Sequence, residues 1–332
     1  MNARLRDPTA RFSFVSRASY WLPELVVESA WLQHAPFAFW LMGALRPRTM
    51  VELGVERGFS YFAFCQAVQR LALDARCFAV DHWAGDAHAG FYGEDVYHDV
   101  CRHNRRYEGF SHLIRADFSD AHDAFADGSI DLLHIDGCHS YEAVQRDFET
   151  WRPKLSRRGV VVLHDIAEYQ RDFGVYLLWE ALRDRYPHFE FTHGHGLGIV
   201  GVGAEIPDRV RALFAASASA AASQAIRMTY QRLGGFVASL RDDVPVPTRQ
   251  VRRIKAVISS CEASASPLLS APLRRIVRLM RAAKATAGAL GDAMRDATRG
   301  AAREADRDLR ILPSRSTRPQ PRAPSRRTRN TA

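Results

Sequence analysis

Cysteine is scarce in this chain. There are five in 332 residues (Cys65, Cys77, Cys101, Cys138 and Cys261), an odd number, scattered, with no Cys-x-x-Cys pair. That pattern argues against a disulfide framework and a zinc knuckle, and it fits a reducing, cytoplasmic setting. No apolar run approaches the ~18 residues of a membrane span. The opening stretch, "MNARLRDPTARFSF", lacks the apolar core of a secretory signal. The turn after the first strand, Glu52-x-Gly54-x-x-x-Gly58, is not a Gly-x-Gly-x-x-Gly, and there is no convincing internal repeat. Aromatic residues are all but absent after Phe236, which removes the base-stacking platforms of single-strand nucleic-acid binders, so nucleic acid is not an expected partner.

What is present is ordinary in bulk and uneven in distribution. Hydrophobic content is 47% and charged content 25%, enough for a packed core. Residues 204–332 hold 25 of the 46 Lys and Arg but only 10 of the 37 Asp and Glu, a net +15, which leaves −6 for residues 1–203. The two parts are electrostatically different objects.

From 50 to 203, short apolar runs alternate with longer mixed segments. "MVELG" (50–54), "CFAVD" (77–81), "HLIRAD" (112–117), "IDLLHID" (130–136) and "VVVLHD" (160–165) read as strands. Segments 59–72 and 140–155 read as helices between them. Such alternation predicts an α/β fold, a doubly wound, mostly parallel sheet covered by helices on both faces. Runs 189–193 and 197–203 suit a closing hairpin through His193-Gly194-His195-Gly196. The expected organisation is a helical lead-in or lid at 1–47 and the sheet domain at 48–203. A mostly helical basic extension at 204–310 would follow, then a disordered Arg/Pro-rich tail at 311–332. In the extension, Ile276, Val277, Met280, Leu290 and Met294 fall roughly on one helical face.

In an open parallel sheet, ligands bind outside the carboxyl ends of the strands. The first strand ends "VELGVERGFS", where Glu52, Gly54, Gly58 and Ser60 form a close-approach turn before a helix. The second ends in Asp81, whose carboxylate suits a ribose diol. The third ends in Asp117-Phe118, placed for an adenine amino group and ring. The fourth ends in Asp136 with His139 three residues on, and the fifth in His164-Asp165. If the fourth and fifth strands are neighbours, Asp136, His164 and Asp165 converge. Two carboxylates with an imidazole suit a divalent cation, Mg²⁺ if oxygens dominate, Mn²⁺, Fe²⁺ or Zn²⁺ if nitrogen joins. His139 is then the candidate general base. Each of these residues has a plainer use as a cap, a turn residue or a satisfied core histidine.

The stretches "VELGVERGFS", "AVDHWAGDAHAGFYGEDVY", "IDLLHIDGCHSYEAVQRDFETWRPKLSRRGVVVLHDI" and "DFGVYLLWEAL" resemble class I S-adenosylmethionine-dependent methyltransferases with a Rossmann-like sheet. The branch they look like is the bacterial group with an Asp-Gly-x-His-x-Tyr-Glu signature, similar to metal-dependent O-methyltransferases of macrolide sugars and catechols. The resemblance implies S-adenosylmethionine against Glu52, Gly54 and Gly58, with Asp81 on the ribose and Asp117 by the adenine. It implies Mg²⁺ or another divalent cation on Asp136 and Asp165, and His139 at the catalytic position. Metal-dependent relatives carry Asp or Glu where this chain has His164, a loss of one hard anionic ligand.

The acceptor this implies is a hydroxyl of a sugar, glycan or related small molecule, met by the His-, Tyr- and Trp-rich segment 82–110. A nicotinamide-dependent oxidoreductase shares the sheet, but the lack of the glycine fingerprint after the first strand, with Glu52 before Gly54, counts against it. A non-catalytic nucleotide-binding module is countered by the Asp136/His139 pair. The basic region is either an extension packing on its own domain or on a second copy of the chain, or a surface for a partner protein or anionic membrane lipid.

Overall fold

The computed structural model describes residues 13–86, 90–170 and 172–242. After single 3₁₀ turns at Arg17–Tyr20 and Ala30–His34 come α1 (Ala35–Leu45), β1 (Thr49–Leu53), α2 (Phe59–Arg70) and β2 (Arg76–Asp81). A small hairpin, β3 (Gly85–Asp86) and β4 (Gly90–Phe91), leads to α3 (Glu94–Asn104) and β5 (Ser111–Arg115). Then follow α4 (Phe118–Ala121), β6 (Ile130–Ile135), α5 (Tyr141–Trp151), β7 (Leu155–His164), α6 (Val175–Arg183), β8 (His188–Phe191), β9 (Leu197–Gly201), α7 (Asp208–Ala216) and α8 (Ala220–Asp242).

Seven strands form one sheet in the order β5-β2-β1-β6-β7-β9-β8. The first five are parallel, and β9 pairs antiparallel with both β7 and β8. The expected doubly wound, mostly parallel sheet is therefore what forms, and β8–β9 is the expected closing hairpin. The chain builds outward from β1 to β5, returns to β6, and builds the other way, so the strand order reverses between β1 and β6. That reversal opens the crevice in which ligands of such sheets bind.

Strand parity sorts the side chains onto two faces. Val51, Leu53, Leu133, Ile135, Val161 and Leu163 point to one, against α5 and α6. Met50, Leu132, Val160 and Val162 point to the other, against α1, α2 and the lead-in. By the same parity Glu52, His134 and His164 face the lead-in. The central strand β6 is buried at all six positions, as a strand covered on both faces must be. Helix α1 is buried at every residue except Gly43, so it is a core helix and not an amphipathic lid.

The lead-in 1–47 is helical only in part, two 3₁₀ turns and one helix over its described residues. Beyond residue 203, α7 and α8 pack on α1, and α8 also packs on the 30–34 turn. The rest of the basic extension, including Ile276 to Met294, and the 311–332 tail lie outside the described residues. Among the described residues, no helix is long and apolar enough to cross a membrane.

Gly54, at the end of β1, sits at φ +84, and a Cβ there would stand 2.1 Å from the Asp136 carbonyl oxygen. Only glycine fits both the dihedral and the contact. Gly54→Ala should therefore cost at least about 3 kcal/mol and lower the melting temperature by roughly 5–10 °C. An unchanged melting temperature would show that the β1 and β6 ends are not pressed together in this way.

Candidate active site

Beneath the crevice runs a buried polar row. Glu52 and His134 are register partners on β1 and β6, both fully buried, with His134 Nδ1 3.0 Å from Glu52 Oε2. Ser60 Oγ donates to Glu52 Oε1 (2.6 Å), and the Trp31 indole donates to His134 Nε2 (3.1 Å). An indole N–H can only donate, so His134 is the Nδ1–H tautomer with its proton toward Glu52. Burial pushes the Glu52 carboxyl up, and His134 and Ser60 pull it back. Glu52 was expected at the cofactor wall. It lies under that wall and ties β1, α2, β6 and the lead-in together.

Asp81 lines the crevice and is also the clamp of the loop after β1. Its Oδ2 accepts from the amides of Val55 (2.7 Å) and Glu56 (3.0 Å), and its Oδ1 from Trp83 (2.6 Å). Glu56 (φ 47) and Trp83 (φ 54) hold left-handed backbone conformations to present those amides. Gly58 is the left-handed cap that starts α2. It shapes the turn and is not among the residues lining the cavity.

At the carboxyl ends of β6 and β7 the expected convergence occurs. His139 Nε2 lies 2.9 Å from Asp165 Oδ2 and 3.6 Å from Asp136 Oδ1. His164 Nδ1 lies 3.3 Å from both Asp136 Oδ1 and Asp165 Oδ1. The other nitrogen of His164, Nε2, is 3.1 Å from the Gly194 carbonyl, which can only accept, so Nε2 carries a proton. Asp165 reaches the cluster from a left-handed backbone (φ 60), and His139 stacks flat on Phe173 with ring centres 4.6 Å apart.

The cluster's titration is set by two opposed effects. Burial favours the uncharged form of every group, but the pairing of two carboxylates with two imidazoles outweighs it. Asp136 and Asp165 are held well below the usual carboxylate range, chiefly by His164 and His139. Against its burial, His164 is raised well above an ordinary histidine by Asp165 and Asp136. His139 is likewise raised, to about 9.

The donor atoms also fit a cation. Asp136, His139 and Asp165 each offer one ligand atom, all within 4.8 Å of one another. Nitrogen from His139, and His164 beside it where an acid would stand, tilts the set from Mg²⁺ toward a cation that accepts mixed nitrogen and oxygen ligands.

One cavity of about 650 Å³ joins these parts. Gly54, Ser60, Asp81, Asp136, His139, His164 and Asp165 all line it. Asp117, Phe118, Gly137 and, from α5, Ala143, Arg146 and Asp147 line it as well. Asp117 is exposed at the rim. Segment 82–110 contributes His82, Asp86 and Tyr92, and the lead-in contributes Glu28 and Trp31.

Residues 51–166, about a third of the chain, match the family described as a methyltransferase domain. The uncharacterized protein y4gI of Sinorhizobium fredii is 53% identical over 180 residues, 54% of this chain, which spans only 20% of that relative's length. A methyltransferase structure from Geobacter sulfurreducens matches at 16% identity and TM-score 0.40, over 54% of this chain and 82% of its own. TomG, an O-methyltransferase of Streptomyces achromogenes solved with SAM, matches at 18% identity and TM-score 0.38, over 55% and 83%. Likeness at that level says nothing of substrate.

Sequence reasoning missed Trp31 and Asp147. Trp31 is 18 residues from the nearest strand and carried no motif. Asp147 had a signal: it lies beside Val144, Phe148 and Trp151 on the apolar side of α5, where an acid is out of place. It is 8% exposed, and no hydrogen bond or ion pair reaches it among the described residues. Burial raises its carboxyl to about 6, with Arg146 acting the other way. The folded state therefore binds the proton more tightly than the unfolded chain, and stability falls as pH rises from about 4 to about 6. Asp147→Asn removes that loss, by at most about 3 kcal/mol. Thermal denaturation should find the variant a few degrees more stable at pH 8 and level with wild type at pH 4. Equal melting temperatures at both pH values would contradict the burial of a charged Asp147.

Proposed function

We propose that this chain transfers the methyl group of S-adenosylmethionine to a hydroxyl of a sugar, glycan or related small molecule. The observation that carries this reading is the meeting of Asp136, His139 and Asp165 in one cavity, lined largely from the segment that matches a methyltransferase domain. The cofactor's place lies along Gly54, which keeps the backbone low, and Phe118, with Asp81 and Asp117 offering carboxylates.

When bound, S-adenosylmethionine supplies an electrophilic methyl on a sulfonium. Methyl transfer is an in-line displacement: the acceptor oxygen forms the new C–O bond as the S–C bond breaks, and its proton must leave. His139 takes that proton. The carboxylates of Asp136 and Asp165 stabilise the imidazolium that results, as a carboxylate does for the histidine of a hydrolase triad. The same carboxylates leave His139 mostly protonated at neutral pH, so the transfer draws on its neutral fraction. A divalent cation on Asp136 and Asp165, with His164 Nδ1 beside them and His139 left free as the base, would lower the pKa of the acceptor hydroxyl and orient a vicinal diol. Tyr92, His82 and Asp86 give the acceptor side the mixture of ring and polar atoms that suits a sugar.

His139→Ala should lower kcat by at least about 10²-fold while S-adenosylhomocysteine still binds with wild-type affinity. Turnover near the wild-type rate would remove His139 as the base. For the cation, activity should fall in excess chelator and return with added Mn²⁺ or Mg²⁺, and full activity in chelator would exclude it.

A further inference from the structure

Beside the reaction cavity lies a second, smaller one of about 260 Å³, for which the methyl transfer has no use. Its polar wall is one face of α3 and the turn after it, where Asp99, Arg102, His103 and Arg106 fall at helical spacing. Its apolar wall is Val96, buried on the same helix, with Leu25 and Val27 from the lead-in. Arg57, from the loop after β1, completes it and also lines the reaction cavity. Basic residues at the end of a helix ordinarily complement its dipole. Arg57 belongs to another element, so the dipole does not account for its presence here.

Three guanidiniums and one carboxylate thus share the lining. Arg106 donates to Glu24 (2.8 Å) and Arg102 to Asp99, through one nitrogen each. Arg57 meets Glu56 at 3.6 Å and makes no hydrogen bond among the described residues. A guanidinium offers five N–H donors, so most of these are unused. In the same wall, His103 Nε2 is shielded from water and has no hydrogen-bond partner among the described residues. Converging guanidinium forks match the oxygens of a phosphate, which accepts from several of them at once.

We infer that this cavity binds a phosphate group, held by Arg57, Arg102 and Arg106, on the far side of Arg57 from the methyl-transfer chemistry. The group is either free or carried on a small molecule whose carbon skeleton covers Leu25, Val27 and Val96. The inference does not rest on the methyl-transfer reading.

The test is calorimetric titration of the full chain with pyrophosphate near neutral pH, in about 20 mM salt so that exposed charges are little screened. S-adenosylhomocysteine is held at saturation to fill the cofactor's place. Wild type should bind with a dissociation constant below about 1 mM. Arg102→Glu should weaken binding at least about fivefold, and Asp99→Asn, which frees Arg102, should tighten it about threefold. Both side chains are exposed, so neither change endangers the fold. Arg183→Glu, exposed on α6 and outside the cavity, should leave the affinity unchanged. No binding by wild type, or equal losses in Arg102→Glu and Arg183→Glu, overturns the site. Glucose 1-phosphate titrated beside orthophosphate separates the two sources: a tighter sugar phosphate uses the apolar wall, and equal affinities leave the site to the free anion. Pyrophosphate binding by a chain that binds no S-adenosylhomocysteine would sink the cofactor reading alone.

Discussion

Two carboxylates and two imidazoles share protons at the carboxyl ends of β6 and β7, and the rest of the site is arranged around that exchange. Asp136 and Asp165 are brought close enough to hold His139 and His164 between them. Two carboxylates so near each other, largely out of water, would be expensive to ionise without compensating charge. The imidazoles supply it, and a cation on the same atoms would supply it in their place. The balance explains why His164, standing where an anionic ligand is expected, does not leave the cluster unpaired.

The lead-in takes part in this chemistry from below. By strand parity Glu52, His134 and His164 point to the face that the lead-in covers, so an apolar cover would have stranded them. The covering segment instead carries Trp31, which donates to His134, and His34, whose Nε2 meets the Gly194 carbonyl at 2.9 Å. That carbonyl also receives His164. The orientation of His164 thus depends on the β8–β9 hairpin and on a turn far away in sequence. Burial, together with His164 and His193, keeps His34 well below an ordinary histidine, so positive charge concentrates at His164 and His139 beside the carboxylates.

On the opposite side the constraint is steric. Gly54 lets the Asp136 backbone lie against the end of β1, and the Leu53 carbonyl accepts from the Asp136 amide (2.8 Å). The crevice at the strand reversal is therefore narrow at its base and opens upward. Asp81 fixes the upper loop by taking three amides. A carboxylate can accept from several donors at once, so its structural duty and contact with a ribose are compatible.

The sequence determined the sheet, the strand ends and most of the candidate site, because each depends on local pattern. Buried parallel strands must be short apolar runs, and polar residues that interrupt them at their carboxyl ends stand out. Asp81, Asp117, Asp136, His139, His164 and Asp165 were legible on that ground alone. Tertiary structure decided which of these residues meet and how they are charged. Glu52 belongs to a buried row and not to the cavity wall because its register partner on β6 is a histidine, and pairing register is not written in either strand. His139 lies against two carboxylates because β6 and β7 are neighbours in the sheet. Asp147, on α5, comes to line the same cavity as the strand-end residues only through the tertiary fold. Distances, burial and proton affinities arise from such long-range neighbours, and no local pattern encodes them.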